Sequence, residues 1–241
     1  MMTERASMQL DPWALRETEL TLGALAQTES LFALSNGHIG MRGNLDEGEP
    51  TGQAGTFLNG VYEIRPLPHA ETAYGYPEAG ETVVSVPNGK LIRLLVDDEL
   101  MDARYGEVLR HERVLDFRDG ILRRTVHWRS PTGQEVLVES QRLVSLRQRS
   151  VAAILYKVTP VNNEMQLVVQ SELVANGDGT PEHHDPGDPR MAAVLESPLK
   201  SDEHFLHEEM AMLIHHTEQS GLRVASAMDH EIVGPDDMYI E

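Results

Sequence analysis

The chain has 241 residues, with 20 Lys and Arg against 39 Asp and Glu for a formal charge of −19, and no cysteine. At roughly 150 residues per domain, this length permits one large all-β domain or two small ones, and the charge repels phosphate backbones and anionic headgroups, which argues against nucleic-acid and membrane partners. Without cysteine there are no disulfides, thiolate zinc sites or Cys nucleophiles; no run reaches the ~18 apolar residues of a membrane span, and the start MMTERASMQL lacks an apolar signal core, so a cytoplasmic protein is expected.

Residues 1–150 sum to −6 and residues 151–241 to −13, and the second stretch also holds seven of the eleven histidines. Apolar residues continue through it. It is therefore a folded region with a solvated acidic face, not an acidic tail.

The first forty residues are irregular, with a short strand expected over 31–34 leading into glycines. Beyond them apolar residues recur with period two between turn signals, the pattern of consecutive β-hairpins. Strands over 82–86 and 91–96 flank Asn88-Gly89, a pair suited to a type I′ turn. Residues 114–117 and 121–128 pair across Asp119-Gly120, and a strand over 135–144 follows Pro131-Thr132-Gly133. A strand over 151–159 then meets the run from Met165 across Asn162-Asn163. In that run Met165, Leu167, Val169, Ser171 and Leu173 alternate with more polar neighbours, so one face is expected to be buried. Residues 176–190 (NGDGTPEHHDPGDPR) hold three prolines and three glycines and predict a long exposed loop, the main internal break. Strands are expected over 191–195, 205–216 and 222–232. In the second of these, Glu, Met, Ala and Leu favour a helix, but the strand reading is taken. Many strands without intervening helices imply stacked antiparallel sheets.

Among motifs, Asn36-Gly37-His38-Ile39-Gly40-Met41-Arg42-Gly43-Asn44 places glycines at every third position, where they permit sharp turns or close approach. It matches neither G-x-G-x-x-G nor a P-loop. Its structural reading is a tight turn in which Arg42 is held by a carboxylate or by backbone carbonyls; its functional reading is a ligand or interdomain contact. His207-Glu208-Glu209-Met210-Ala211 lacks the second histidine of the zinc-protease helix. His183-His184-Asp185 and His215-His216 read as surface histidines, because neighbours on a strand point to opposite faces. No metal site is expected. Trp13, Trp128 and Tyr156 are assigned to packing, and sequence spacing identifies no catalytic pair among the many carboxylates.

Taken together, ESLFALSNGHIGMRGN at 29–44, GTFLNGVYE at 55–63, VPN at 86–88, LDFRDGIL at 115–122, SQRLVSL at 140–146 and ILYKVTP at 154–160 resemble, in order and spacing, the opening of glycoside hydrolase family 65 over roughly residues 10–235. That family contains maltose, trehalose, kojibiose and nigerose phosphorylases. His38 stands where the family more often has an aromatic residue.

The resemblance implies that residues 1–241 are a single N-terminal domain, an all-β antiparallel β-super-sandwich of two large stacked sheets. In the family, such a domain precedes a helical linker and an (α/α)6 barrel whose glutamate is the general acid. Inorganic phosphate is the co-substrate of a full-length phosphorylase, and no other cofactor is implied. By the same resemblance the partners are the barrel of the same polypeptide, a second copy in a homodimer, and an α-glucoside disaccharide. The isolated chain, which holds no catalytic residue, is expected to be inactive. Asn36, Arg42, Asn44 and Asn59 are the candidates for facing the barrel or lining its substrate pocket, since they offer directional hydrogen bonds beside close-packed backbone. The alternative is a stand-alone carbohydrate-binding or oligomerisation sandwich. Two Trp, six Tyr and four Phe are few for sugar platforms.

Overall fold

The computed structural model describes residues 8–67, 74–177, 195, 197–235 and 238–240. In chain order they form β1 (Met8–Asp11), β2 (Ala14–Glu17), a 3-10 turn (Leu22–Ala24), α1 (Leu25–Leu31), β3 (Leu34–Ser35), β4 (Ile39–Met41) and β5 (Thr56–Leu58). Next come β6 (Tyr62–Pro66), β7 (Ala79–Val83), β8 (Asn88–Val96), β9 (Glu99–Leu100), β10 (Glu107–Asp116), β11 (Ile121–Arg129) and β12 (Glu135–Val144). The last are β13 (Ala152–Pro160), β14 (Leu167–Val174), β15 (Leu199–His207), β16 (Met210–Thr217) and β17 (Arg223–Met228). The all-β, antiparallel sandwich class read from the sequence is the class adopted. The described residues fall into two compact units, unit 1 within 1–59 and 90–172 and unit 2 within 60–89 and 173–241.

Unit 1 is built on a six-stranded sheet in the order β1-β2-β10-β11-β12-β13. Its central strands β11 and β12 alternate strictly in burial, as period-two side-chain placement requires. The outer face carries charges in rows, with Arg123 bonded to Asp116 at 3.3 Å, Arg129 to Glu135 at 2.9 Å and Lys157 to Glu139 at 2.9 Å. Such cross-strand pairs keep a half-solvated face soluble. The inner face holds two apolar clusters. One joins Leu15, Leu115, Leu122 and Val144 to Phe32, Leu34 and Ile39. The other joins Val126, Trp128, Val136 and Val138 to Leu94, Val96 and Met101. Each fully buried side chain of this kind contributes about 1.5–3 kcal/mol. Smaller sheets, β3-β4-β5 and the unit 1 part of β14-β8-β9, complete the unit.

Unit 2 contains the meander β15-β16-β17 and the pair β6-β7. Val84, Val86, Leu199 and Val224 are its buried apolar residues among those described. Glu63 is also buried, and its carboxylate accepts the backbone N–H groups of Ile64, Gln219 and Ser220. These bonds outweigh the cost of burial and hold it below the ordinary glutamate range.

The hairpin at Asp119-Gly120 forms as read, with Gly120 at φ +67° and Asp116 paired to Ile121. β12 occupies the expected residues 135–144. Several local readings are corrected. Asn88-Gly89 opens strand β8 instead of turning a hairpin, because β7 pairs with β6 and β8 lies between β14 and β9. β14 likewise does not fold back on β13. It joins β8, and the Asn162 carboxamide instead caps the β11–β12 turn through Gly133 O and Glu135 N. As the outer strand of its sheet, β14 leaves Val168 and Val169 exposed, so its sequence alternation does not become an alternation of burial.

Of the strand expected over 31–34 only Leu34 is strand, as the start of β3; α1 runs to Leu31, and its buried face is Leu25, Thr28 and Glu29, which shows no apolar period in the sequence. Residues 205–216 are two strands, not one. Glu208, at φ +51°, turns the chain between His207 and Met210, which are paired in register, and this explains why the apolar residues keep no single parity. The third strand expected there, over 222–232, is β17 and stops at Met228. The loop expected at 176–190, the strand at 191–195 and His183-His184-Asp185 lie, apart from Asn176, Gly177 and Leu195, outside the described residues.

Candidate functional site

The glycine-rich turn is anchored on every side. Asn36 accepts the N–H groups of His38 and Ile39, both at 2.9 Å, on Oδ1. Its Nδ2 donates to Ser145 O at 2.6 Å and Arg149 O at 2.9 Å. This locks the β3–β4 turn to the loop after β12. Gly37 takes φ +82° at the turn, the left-handed region that favours glycine. Gly43 serves close approach: a Cβ there would lie 2.6 Å from Phe32 Cβ and 2.7 Å from Phe32 O.

Arg42 is held by backbone carbonyls, the second of its two structural readings. It donates to Gln53 O at 2.8 Å, Ala26 O at 2.9 Å and Ser30 Oγ at 2.7 Å, which ties the turn to α1. Glu29, fully buried on α1, accepts Gly52 N at 3.0 Å and Gln53 N at 2.6 Å. Asn44 is buried and donates from Nδ2 to Gln53 O at 3.1 Å and Thr51 Oγ1 at 3.3 Å. Asn59 is exposed and reaches the turn through its backbone N–H, which donates to His38 O at 2.8 Å. The structure thus brings Asn36, Arg42 and Asn44 into one packed assembly, with Asn59 at its rim.

Beneath the turn lies a feature that sequence reasoning missed. Between the two apolar clusters, the inner face of the sheet is crossed by a belt of buried charge: Glu17 on β2, His111 and Arg113 on β10, Arg124 on β11, Ser140 and Arg142 on β12, with Asp46 and Glu47 from the loop after the turn. Arg113 donates to Glu17 Oε2 at 2.9 Å and to Gly43 O at 2.7 Å, and its guanidinium lies 4.4 Å from the centre of the Phe32 ring. Arg124 donates to Glu47 at 2.8 Å and to Asp46 at 3.2 Å; Arg142 and Ser140 both donate to Asp46 at 2.7 Å. The signal was parity: Arg113 shares that of Leu115, Arg124 that of Val126 and Trp128, and Arg142 that of Val138 and Val144.

The electrostatics follow from burial and pairing. Burial alone raises the Asp46 pKa, but the Arg142 and Arg124 charges outweigh it and hold the carboxyl below its ordinary value. For Glu17 the balance is the same, with the His111 hydrogen bond and the Arg113 charge prevailing over burial. Burial and the charges of Arg124 and Arg113 lower the His111 pKa, so its imidazole is neutral at neutral pH. Burial, with Glu47 and Asp46 nearby, pushes the Tyr156 phenol well above its usual range.

Chemically, this is a holding device. Each buried carboxylate among the described residues of unit 1, namely Glu17, Glu29, Asp46, Glu47 and Asp102, is engaged by a guanidinium, an imidazole or backbone N–H groups. Among the described residues, no three His, Asp or Glu side chains converge to hold a metal. Trp128 is fully buried as assigned, whereas Trp13 is 53% exposed with Arg118 4.9 Å from its ring centre, a correction to its core assignment. Its position explains this: Trp13 sits in the two-residue connection of the β1–β2 hairpin, outside the sheet.

The model of the glycosyl hydrolase family 65 N-terminal domain matches residues 15–239. An uncharacterized glycosyl hydrolase of Mycobacterium tuberculosis (strain ATCC 25618 / H37Rv) is 58% identical over 98% of this chain, which covers 29% of that protein. The α,α-trehalose phosphorylase of Thermoanaerobacter brockii is 33% identical over 96% of this chain and 30% of its own length. A solved structure from the human microbiome, named as a candidate kojibiose phosphorylase, shares the fold with a TM-score of 0.79 at 21% identity, over 93% of this chain and 28% of that one. The chain therefore spans less than a third of these relatives. It belongs to glycosyl hydrolase family 65, of which it matches the N-terminal domain.

Proposed function

We propose that this chain is the non-catalytic N-terminal domain of a longer enzyme that cleaves α-linked glucose disaccharides, by inverting phosphorolysis to β-glucose 1-phosphate or by hydrolysis. The observation that carries this reading is the engagement of every buried carboxylate among the described residues of unit 1. Glycoside cleavage needs an acid free to protonate the leaving oxygen, and these groups are committed to holding the fold. Trehalose and kojibiose are the substrates of first choice because relatives are named as phosphorylases of those sugars. The chain supports the catalytic barrel and the homodimer of the full-length enzyme.

Its docking surface in this reading is the end of the six-stranded sheet where Trp13, Phe117 and Leu146 are exposed beside Arg118, Arg147 and Arg149. Asn36 braces this end through Ser145 O and Arg149 O, and Asn59 lies next to it through His38 O. Barrel and pocket contacts are assigned to Asn36, Arg42 and Asn59 on this basis, and Asn44 is buried behind them. The test is phosphate-dependent release of glucose 1-phosphate, and release of free glucose, from trehalose, kojibiose and maltose. Turnover is expected from the full-length protein and none from the isolated chain; turnover by the pure isolated chain overturns the reading.

A further inference from the structure

The belt borders a cavity of about 10 Å3 lined by Asn44, Asp46, Arg113, Leu122, Arg124, Ser140 and Arg142, about the space that one water requires. Four of these residues carry a buried polar atom without a hydrogen-bond partner among those described: Asn44 Oδ1, Arg113 Nη2, Arg124 Nε and Arg142 Nε; Arg113 Nη2 is ion-paired with Glu17 at 2.8 Å, which leaves three for the cavity. Buried polar groups left unpaired are costly and are ordinarily satisfied by protein or by ordered water. We propose that this cavity is a binding site for a single ordered water molecule, which accepts from Arg124 Nε and Arg142 Nε and donates to Asn44 Oδ1, with Ser140 Oγ as acceptor for its second hydrogen.

Two observations select water over an ion. The Asn44 amide cannot be turned over, because its Nδ2 is needed by Gln53 O, an acceptor only. Its oxygen therefore belongs to the cavity, where it repels an anion, while the two Nε–H donors repel a cation. The belt is also balanced: Glu17, Asp46 and Glu47 face Arg113, Arg124 and Arg142, and His111 is neutral. Only a neutral ligand that both donates and accepts meets all three atoms. The water would join the Asn44 side chain to β11 and β12, beside the direct bonds that Arg124, Ser140 and Arg142 make to Asp46 and Glu47, and it makes Asn44 a residue that fixes this loop.

A high-resolution crystal structure of the unsubstituted chain, with a second crystal soaked in bromide, tests this. Solvent density within hydrogen-bond distance of Asn44 Oδ1, Arg124 Nε and Arg142 Nε, without bromide anomalous signal, is the expected result. A bromide peak there, or a cavity without density, overturns the proposal. In solution, oxygen-17 relaxation dispersion counts long-lived waters. Leu122→Phe, which fills the cavity, is expected to lose one relative to the unsubstituted chain, and an unchanged count in the folded variant overturns the proposal. Should that variant not fold, the diffraction result alone decides.

Discussion

Arg113 Nε donates to Glu17 Oε2 at 2.9 Å where both side chains are almost wholly removed from water. Removing one partner of such a pair leaves an uncompensated buried charge. Arg113→Met is expected to lower stability by about 3–5 kcal/mol, and the double change of Glu17→Met with Arg113→Met to cost less than the sum of the two single changes. Urea unfolding of the four proteins reads both quantities. Additive single and double changes would mean that the pair is not coupled.

The belt also sets an acid limit on stability. The folded pKa of His111 lies below its reference of 6.5, so below that pH the unfolded chain takes up a proton that the folded chain refuses, and stability falls. Glu17 and Asp46 lie below their references of 4.5 and 3.8, so they stabilise above those values and lose that contribution as pH falls toward their folded pKa values. Urea midpoints at successive pH values are expected to fall in two stages, one beginning near pH 6.5 and one below about pH 4.5. Each proton contributes at most about 1.4 kcal/mol per pH unit. His111→Gln is expected to reduce the first stage and spare the second.

Gly43→Ala is expected to destabilise by about 1–3 kcal/mol, an overpacking cost, because its Cβ would meet Phe32 Cβ at 2.6 Å and the Phe32 carbonyl oxygen at 2.7 Å. Gly40→Ala is the control. Its Cβ would meet Ser35 Oγ at 3.9 Å, an ordinary contact, and the melting temperature is expected to be unchanged or slightly higher.

Glu208 turns the β15–β16 hairpin at φ +51°. Glycine reaches that conformation without the cost of about 1–2 kcal/mol that a side chain carries there. Glu208→Gly is thus expected to raise the melting temperature, and Glu208→Val to lower it because a β-branched side chain fits that region worst.

In the full-length protein, the paired change Phe117→Asp and Leu146→Asp replaces two exposed apolar side chains. If this sheet end docks onto the rest of the enzyme, the variant is expected to melt earlier and turn over more slowly in full length, while the isolated chain melts as before. A full-length protein unaffected in both respects would place docking elsewhere.

The hairpins β10–β11 and β11–β12 were legible because each strand alternates and each turn carries glycine, so local chemistry and the final pairing agree. The β15–β16 turn was not legible, because Glu208-Glu209 carries no turn signal and the turn is held by the pairing of His207 with Met210 and by His230 at Glu209 O. Helix α1 was hidden for a related reason: its buried face carries Glu29, whose carboxylate is tolerated there because Gly52 and Gln53 supply their N–H groups and Thr51 its hydroxyl.

The amino-acid order by itself determined the family, the antiparallel β class and the long central strands, since these follow from periodicity and from residues adjacent in the chain. For Arg42 it left a carboxylate and backbone carbonyls both open, and the folded chain decided for the carbonyls. Only the tertiary structure decided which strands leave their sequence neighbours, as β8 and β14 do, and that Arg113, Arg124 and Arg142 lie inside. A guanidinium is buried only when carboxylates meet it, and Glu17, Asp46 and Glu47 reach these arginines from 77 to 96 residues away. That convergence is a property of the folded chain, and no window of the sequence contains it.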